Sequence, residues 1–218
     1  MPIVLFLVLT GLSAAVWKSY DYSPLDKEFY LTSEQLAFVR PGLHVTVTDY
    51  AIEADRTVWA EFTMTDDGGL PLDIEGVYTP GPIRISFILA RIPQGSDQYE
   101  SYTTRVQTSP ITGDSAEQAT SDSGGTFEEI EIGTYRYIFN MKVPSGYDQN
   151  ATHTIGYYAE RNLEEWELGA PMDDGVVNFV PSGGEVQKIR EIVTNEACAN
   201  CHDPLRIHGR RHSYELCI

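Results

Sequence analysis

The stretch TVWAEFTM (Thr57–Met64) alternates small or apolar residues with polar or aromatic ones at a period of two. Val58, Ala60, Phe62 and Met64 fall on one face of an extended chain, because successive side chains of a strand point to opposite sides. Asp66, Asp67, Gly68 and Gly69 follow at once with turn chemistry. The same rhythm recurs outward in both directions. LHVTVTDY (43–50) precedes it. PIRISFILARI (82–92) aligns Ile83, Ile85, Phe87 and Leu89 on one face. GTYRYIFNMKV (133–143) sets Tyr135, Tyr137, Phe139 and Met141 against Arg136, Ile138 and Asn140. THTIGYYAE (152–160) and GVVNFVP (175–181) complete the series. β-Branched and aromatic residues fill these segments, and Gly, Pro and Asp separate them. Six or more strands without an intervening long helix predict a mainly β domain over residues 36–182, built as a β-sandwich or split Greek-key barrel. Within it, TSPITGDSAEQATSDSGG (108–125) is too polar for a core and too long for a hairpin turn, and reads as a surface excursion.

The chain has 218 residues, 42% of them hydrophobic, enough for a substantial core. Its 15 basic residues stand against 32 acidic ones, a net charge of -17. That balance argues against nucleic acid as a partner, which calls for a basic face, and favours cationic partners. The N-terminus, PIVLFLVLTGLSAAVW (2–17), is an apolar run of signal-peptide length ending in small residues, so residues 1–17 read as a signal peptide or N-terminal anchor. Export to the periplasm or outer cell surface of a bacterium is expected, with any membrane association made through a partner or an anchor.

The pattern breaks at Pro181-Ser182-Gly183-Gly184. Residues 185–218 are helix-compatible, lack alternation and carry the chemistry. Cys198, Cys201 and His202 stand in CANCH, the Cys-x-x-Cys-His pattern of covalent haem c attachment. Two thiols at this spacing can join the vinyl groups of one haem, and the adjacent imidazole becomes its proximal ligand. His208 is the candidate distal ligand, with His212 as the alternative. Arg206, Arg210 and Arg211 lie beside them and suit haem carboxylates. Cys217, one residue from the end of this sequence, has the placing of the first thiol of a second such motif. A rival ligand set exists: Cys198, Cys201, His208 and His212 form C-x2-C-x6-H-x3-H, a tetrahedral zinc pattern. Under that reading the chain is a non-redox β-sandwich binding or adhesion module with a small zinc-stabilised tail. The Cys201–His202 adjacency is required by haem alone. Lesser candidates are His44 and His153, in strand-like segments, and Asp66, Asp67, Asp173 and Asp174, which suit calcium or turns.

Several stretches together resemble the OmcA/MtrC family of outer-surface multihaem cytochromes. TVWAEFTMTDDGGLPL (57–72), PIRISFILARIPQGSDQYESY (82–102), GTYRYIFNMKVP (133–144), THTIGYY (152–158) and VVNFVPSGG (176–184) occur in the family's order. IREIVTNEACANCHDPLRIHGRRHSYELC (189–217) is similar to its join to the first haem and is the most specific part. The resemblance implies a β-sandwich or split-barrel domain leading into an irregular, short-helical multihaem domain, truncated here. It implies electron transfer rather than conventional enzyme activity, with metal reduction as an accompanying activity. The partners implied are other redox proteins of an outer-membrane conduit and extracellular acceptors such as metal oxides or flavins. Residue by residue, it assigns Cys198, Cys201 and His202 to the first haem, His208 to a distal position and Cys217 to the second motif.

Overall fold

The computed structural model describes residues 20–190 together with Arg211, Ser213 and Leu216. Two four-stranded antiparallel sheets face one another. The first has the order β1 (His44–Ile52), β2 (Thr57–Thr65), β8 (Thr134–Lys142), β7 (Thr126–Glu131); the second has β10 (Met172–Phe179), β9 (Thr152–Arg161), β3 (Ile83–Ile92), β4 (Glu100–Ser101). A separate two-stranded ribbon pairs β5 (Thr104–Thr108) with β6 (Ser115–Ala119). Hairpins β1–β2 and β7–β8 build the first sheet, and β3 and the β9–β10 hairpin build the second. The predicted sandwich is the observed fold.

The alternation in Thr57–Met64 has the consequence its periodicity dictates. Val58, Ala60, Phe62 and Met64 are fully buried, and their odd-numbered neighbours are partly exposed. Tyr135, Tyr137 and Phe139 of β8 join them, as do Phe87 and Leu89 of β3 and Ile155, Tyr157 and Ala159 of β9. Phe62 lies against Phe87 at 5.2 Å between ring centroids, and Phe87 stacks on Tyr137 at 4.8 Å. Burial of each such side chain contributes about 1.5–3 kcal/mol relative to leaving it in water.

Both edges of the sandwich are tied by half-buried carboxylates and buried tyrosines. At one edge, Val45 of β1 donates its N–H to Asp173 Oδ2 (2.6 Å), and its carbonyl accepts from the Tyr157 hydroxyl (2.8 Å). At the other, the Asp122 amide donates to Phe87 O (2.8 Å), while its carboxylate accepts from the Tyr137 hydroxyl (2.7 Å), Asn140 N (2.9 Å) and Met141 N (3.1 Å). Backbone groups at the sheet borders that would otherwise be orphaned thus find partners, which keeps burial inexpensive.

The helix α1 (Ser33–Val39) begins with a Thr32/Gln35 capping box and ends at Arg40 in the left-handed region. Its terminal carbonyls are met from outside by the fully buried Arg161. That guanidinium donates to Val39 O (2.8 Å), Arg40 O (2.6 Å), Gly42 O (3.0 Å) and Pro80 O. Burial pushes Arg161 below the ordinary arginine range, to about 10, with Asp66 opposing the shift.

The stretch 108–125 departs from expectation in part. It lies at the surface, but it contributes strand β6 and the whole turn of a hairpin whose loop is residues 109–114. Thr108–Ser115 and Thr104–Glu117 hydrogen bonds cross the ribbon. Neither face of β6 packs on a core, so no apolar period marks it in sequence. The acidic β7 shows little periodicity either: all six of its residues are exposed, although the Phe127 ring reaches Tyr137 at the core border, 4.8 Å between centroids. Among the described residues, no helix is long and apolar enough to cross a membrane.

Candidate functional site

Cys198, Cys201, His202, His208, His212 and Cys217 lie outside the described residues, as do Arg206 and Arg210. What the structure does describe is how the segment bearing them is joined to the sandwich. The join has two halves, one before the Cys-x-x-Cys-His motif and one after it.

Before the motif, Lys188 forms an ion pair with Asp97 and donates to Ser96 O (2.7 Å). Arg190 Nε donates to Gln98 Oε1 (3.0 Å). Residues 96–98 belong to the turn between β3 and β4, so the chain leaves the sandwich along that border. A cavity of about 290 Å³ lies here, lined by Ile92, Gly95, Asp148, Thr152, Gln187 and Lys188 among others.

After the motif, the chain is seated on the outer face of the second sheet. The Arg211 guanidinium lies over the Tyr158 ring, 4.6 Å from its centroid. The Ser213 amide donates to Asp174 Oδ2 (2.9 Å). Leu216 is buried with Ile88 and Tyr158, and Val176 packs against the three. Strands β3, β9 and β10 supply these contacts because alternate residues of each turn away from the core: Ile88, Tyr158, Asp174 and Val176. The Tyr158 hydroxyl also donates to Ser121 Oγ (3.2 Å). The twenty residues 191–210 therefore run between two attachments to one β-domain. Arg211, grouped by sequence with arginines suited to haem carboxylates, has its guanidinium committed to the Tyr158 face.

The remaining sequence candidates sit in the protein's own polar network. Asp66 is fully buried, pairs with Arg40 (2.8 Å) and accepts from Leu70 N (2.8 Å). Asp67 contacts His44 Nε2 (2.9 Å) and accepts from the Tyr22 hydroxyl (2.8 Å). Burial pushes the Asp67 carboxyl up, but the hydrogen bonds from His44 and Tyr22 outweigh it and leave the group below its ordinary value. Asp173 is the reverse case: burial dominates and raises it. Among the described residues, no three His, Cys, Asp or Glu side chains converge to hold a metal ion. The Asp66–Gly69 stretch is turn chemistry, and Asp173 and Asp174 are ties to β1 and to the tail.

His153 is fully buried and belongs to an aromatic cluster with Tyr102, Tyr147 and Phe179. Its Nδ1 lies 3.0 Å from Ala151 O, which can only accept, so Nδ1 carries the proton. Its Nε2 then accepts from the Tyr102 hydroxyl at 2.7 Å. Burial pushes the imidazole below its ordinary value and holds it neutral. Sequence reasoning noticed His153 but missed Tyr158 and Arg161. Both are anchors whose partners lie far away in the chain, and no local pattern announces them.

Comparison with solved structures reveals a likeness of fold to known proteins. The chain superposes on the outer membrane decaheme cytochrome OmcA with a TM-score of 0.58 and 20% identity, over 80% of this chain and 28% of that one. MtrC from Shewanella baltica OS185 matches with a TM-score of 0.51 and 20% identity, over 77% of this chain and 27% of that one. The shared feature is the fold. The chain spans little more than a quarter of the length of these cytochromes. No protein-family profile matches it, and no curated protein matches its sequence.

Proposed function

We propose that the chain is the β-sandwich and first haem-bearing segment of an exported multihaem electron-transfer cytochrome of the OmcA/MtrC kind. The observation that carries this reading is the placing of Cys-x-x-Cys-His. It follows directly on a sandwich with the fold of two decahaem cytochromes, in a segment attached to that sandwich at Lys188–Arg190 and again at Arg211–Leu216.

In this reading the Cys198 and Cys201 thiols hold the haem, His202 is its proximal ligand, and His208 or His212 fills the distal position. A haem c with two imidazole ligands supplies a low-spin one-electron couple. Cys217 opens a second attachment motif. The sandwich is the mount: it fixes where the segment starts and where it returns. Electrons pass onward to redox partners of an outer-membrane conduit and to extracellular acceptors such as metal oxides or flavins. The acidic surface suits cationic partners and acceptors.

The test is maturation in a cytochrome-producing bacterium followed by a pyridine haemochrome assay and metal analysis. The expected product is red, with a Soret band and one covalent haem per chain, and Cys198→Ala with Cys201→Ala abolishes both. A colourless product with stoichiometric zinc overturns the reading and establishes the zinc-stabilised tail in its place.

A further inference from the structure

A second feature of the sandwich lies on its first sheet and does not rest on the haem reading. Strand β7 ends that sheet, with β8 on one side and, among the described residues, no strand on the other. Its sequence is TFEEIE, and all six residues are exposed. Exposed edge strands offer unpaired N–H and C=O groups to any extended chain.

Beside this edge stands a loop stiffened from within. The buried Asp73 carboxylate accepts from Val77 N (2.6 Å) and Thr79 N (2.6 Å), and also from the Thr79 hydroxyl. Gly76 and Gly81 take positive φ, and a Cβ on Gly76 would come within 2.7 Å of Pro82 N. Ile74 N donates to the Tyr135 hydroxyl (3.1 Å), and Ile83 N to Ile74 O (2.8 Å), which bolt the loop to both sheets. This rigid loop presents Val77 and Tyr78 to solvent at 71% and 74% exposure. Ile130 on the strand is 51% exposed. Between loop and strand lies a cavity of about 260 Å³, lined by Glu75, Val77, Tyr78, Glu129 and Tyr135 together with the loop backbone.

We propose that this edge and cavity form a docking site for an extended, lysine- or arginine-bearing segment of a partner protein, which adds to β7 as a further strand. Main-chain hydrogen bonds to β7 give the pairing, and alternate side chains read the surface. One alternate set enters the cavity, where Glu75 and Glu129 receive a cation against the Tyr78 ring. The other set packs along Ile130. A second copy of this chain is the wrong occupant, because it would bring Glu128, Glu129 and Glu131 against the same residues, and like charges set opposite across a ladder repel. Glutamates along an edge suppress self-pairing; the preformed loop with two bare apolar side chains goes beyond what protection requires.

The experiment uses the full chain and three synthetic peptides: one alternating lysine and valine, one alternating glutamate and valine, and a lysine peptide interrupted by proline at every second position. Binding is followed at low salt by fluorescence anisotropy and by hydrogen exchange. The lysine–valine peptide is expected to bind and to slow exchange at the amides of 126–131, and the other two to bind at least about tenfold more weakly. Glu75→Lys with Glu129→Lys should weaken binding by about tenfold or more while leaving the melting temperature unchanged. Tyr78→Ala should weaken it by a smaller factor. Equal binding of the proline-interrupted peptide, or binding without protection of 126–131, overturns the proposal by showing diffuse charge attraction. Failure of the lysine–valine peptide to bind overturns it outright.

Discussion

Each sheet of the sandwich carries an isoleucine on its outer face, and the two meet different surroundings. Ile138 on β8 is partly exposed, with Trp59 beside it in the ladder. Ile88 on β3 is 3% exposed, packed with Tyr158 and Leu216. The difference extends along the sheets. Strand β2 alternates buried and half-exposed residues from end to end, as a sheet with one solvated face does. Strand β9 is buried on both faces in nine of its ten residues. The first sheet is therefore an outer wall. The second is an inner layer, covered on its far side by residues of the β3–β7 excursion and by the tail that follows the Cys-x-x-Cys-His motif. What distinguishes the two sheets is what sits upon them, and on the second that includes Arg211, Ser213 and Leu216 of the tail.

Truncating these isoleucines gives the largest contrast. Ile88→Ala should destabilise the fold by about 2–4 kcal/mol, because it opens a cavity between sheet and tail, whereas Ile138→Ala should cost about 1 kcal/mol or less. Chemical denaturation measures both, and equal losses would remove the distinction between wall and inner layer.

Acid acts next, through β9. His153 is held neutral by burial, so its proton affinity is lower in the folded chain than in the unfolded one. The unfolded state then binds more protons below about pH 6.5, and stability falls as pH drops through that value toward the folded one, by at most about 1.4 kcal/mol per pH unit. Above this window the contribution is fully present. His153→Phe should flatten the dependence in denaturation midpoints taken between neutral and acid pH. An unchanged slope would place the responsible group elsewhere.

The tail contact is weaker. Tyr158→Leu removes the ring beneath Arg211 and the hydroxyl bound to Ser121, at about 1–2 kcal/mol. Exchange should quicken at Ser213 and its neighbours while β2 and β8 stay protected. If β2 quickens equally, the tail is integral to the whole fold rather than seated on one sheet.

The smallest effect belongs to the outer wall. Arg136 lies over the Trp59 ring at 4.4 Å and pairs with Glu61 at 3.0 Å on the half-exposed face. Glu61→Gln should change stability by less than about 1 kcal/mol, and less still in high salt.

How much of this was legible in the sequence varies with the kind of signal. Strands with one buried face announce themselves, so β2, β8 and the core side of β3 can be read residue by residue from their period of two. The β5–β6 ribbon cannot be read that way, because period-two hydrophobicity is the imprint of a core and neither of its strands lies on one; β7 meets the core border through the Phe127 ring but is otherwise exposed and acidic, so its period is faint. The Cys-x-x-Cys-His pattern is legible because its chemistry is set by adjacent residues. Arg161 is not: its guanidinium finds Pro80 81 positions away, and Val39, Arg40 and Gly42 at separations of 119 to 122.

Taken alone, the sequence determined the sandwich, the inward-facing residues and the candidate ligand set, since each is written in local spacing and residue type. Only the tertiary structure decided which sheet would be covered, that the buried His153 stays neutral, that Asp173 and Asp174 serve as ties, and where the segment bearing the motif is fastened. Those outcomes depend on contacts between residues distant in the chain. Such contacts follow from packing geometry and desolvation, which no local pattern encodes.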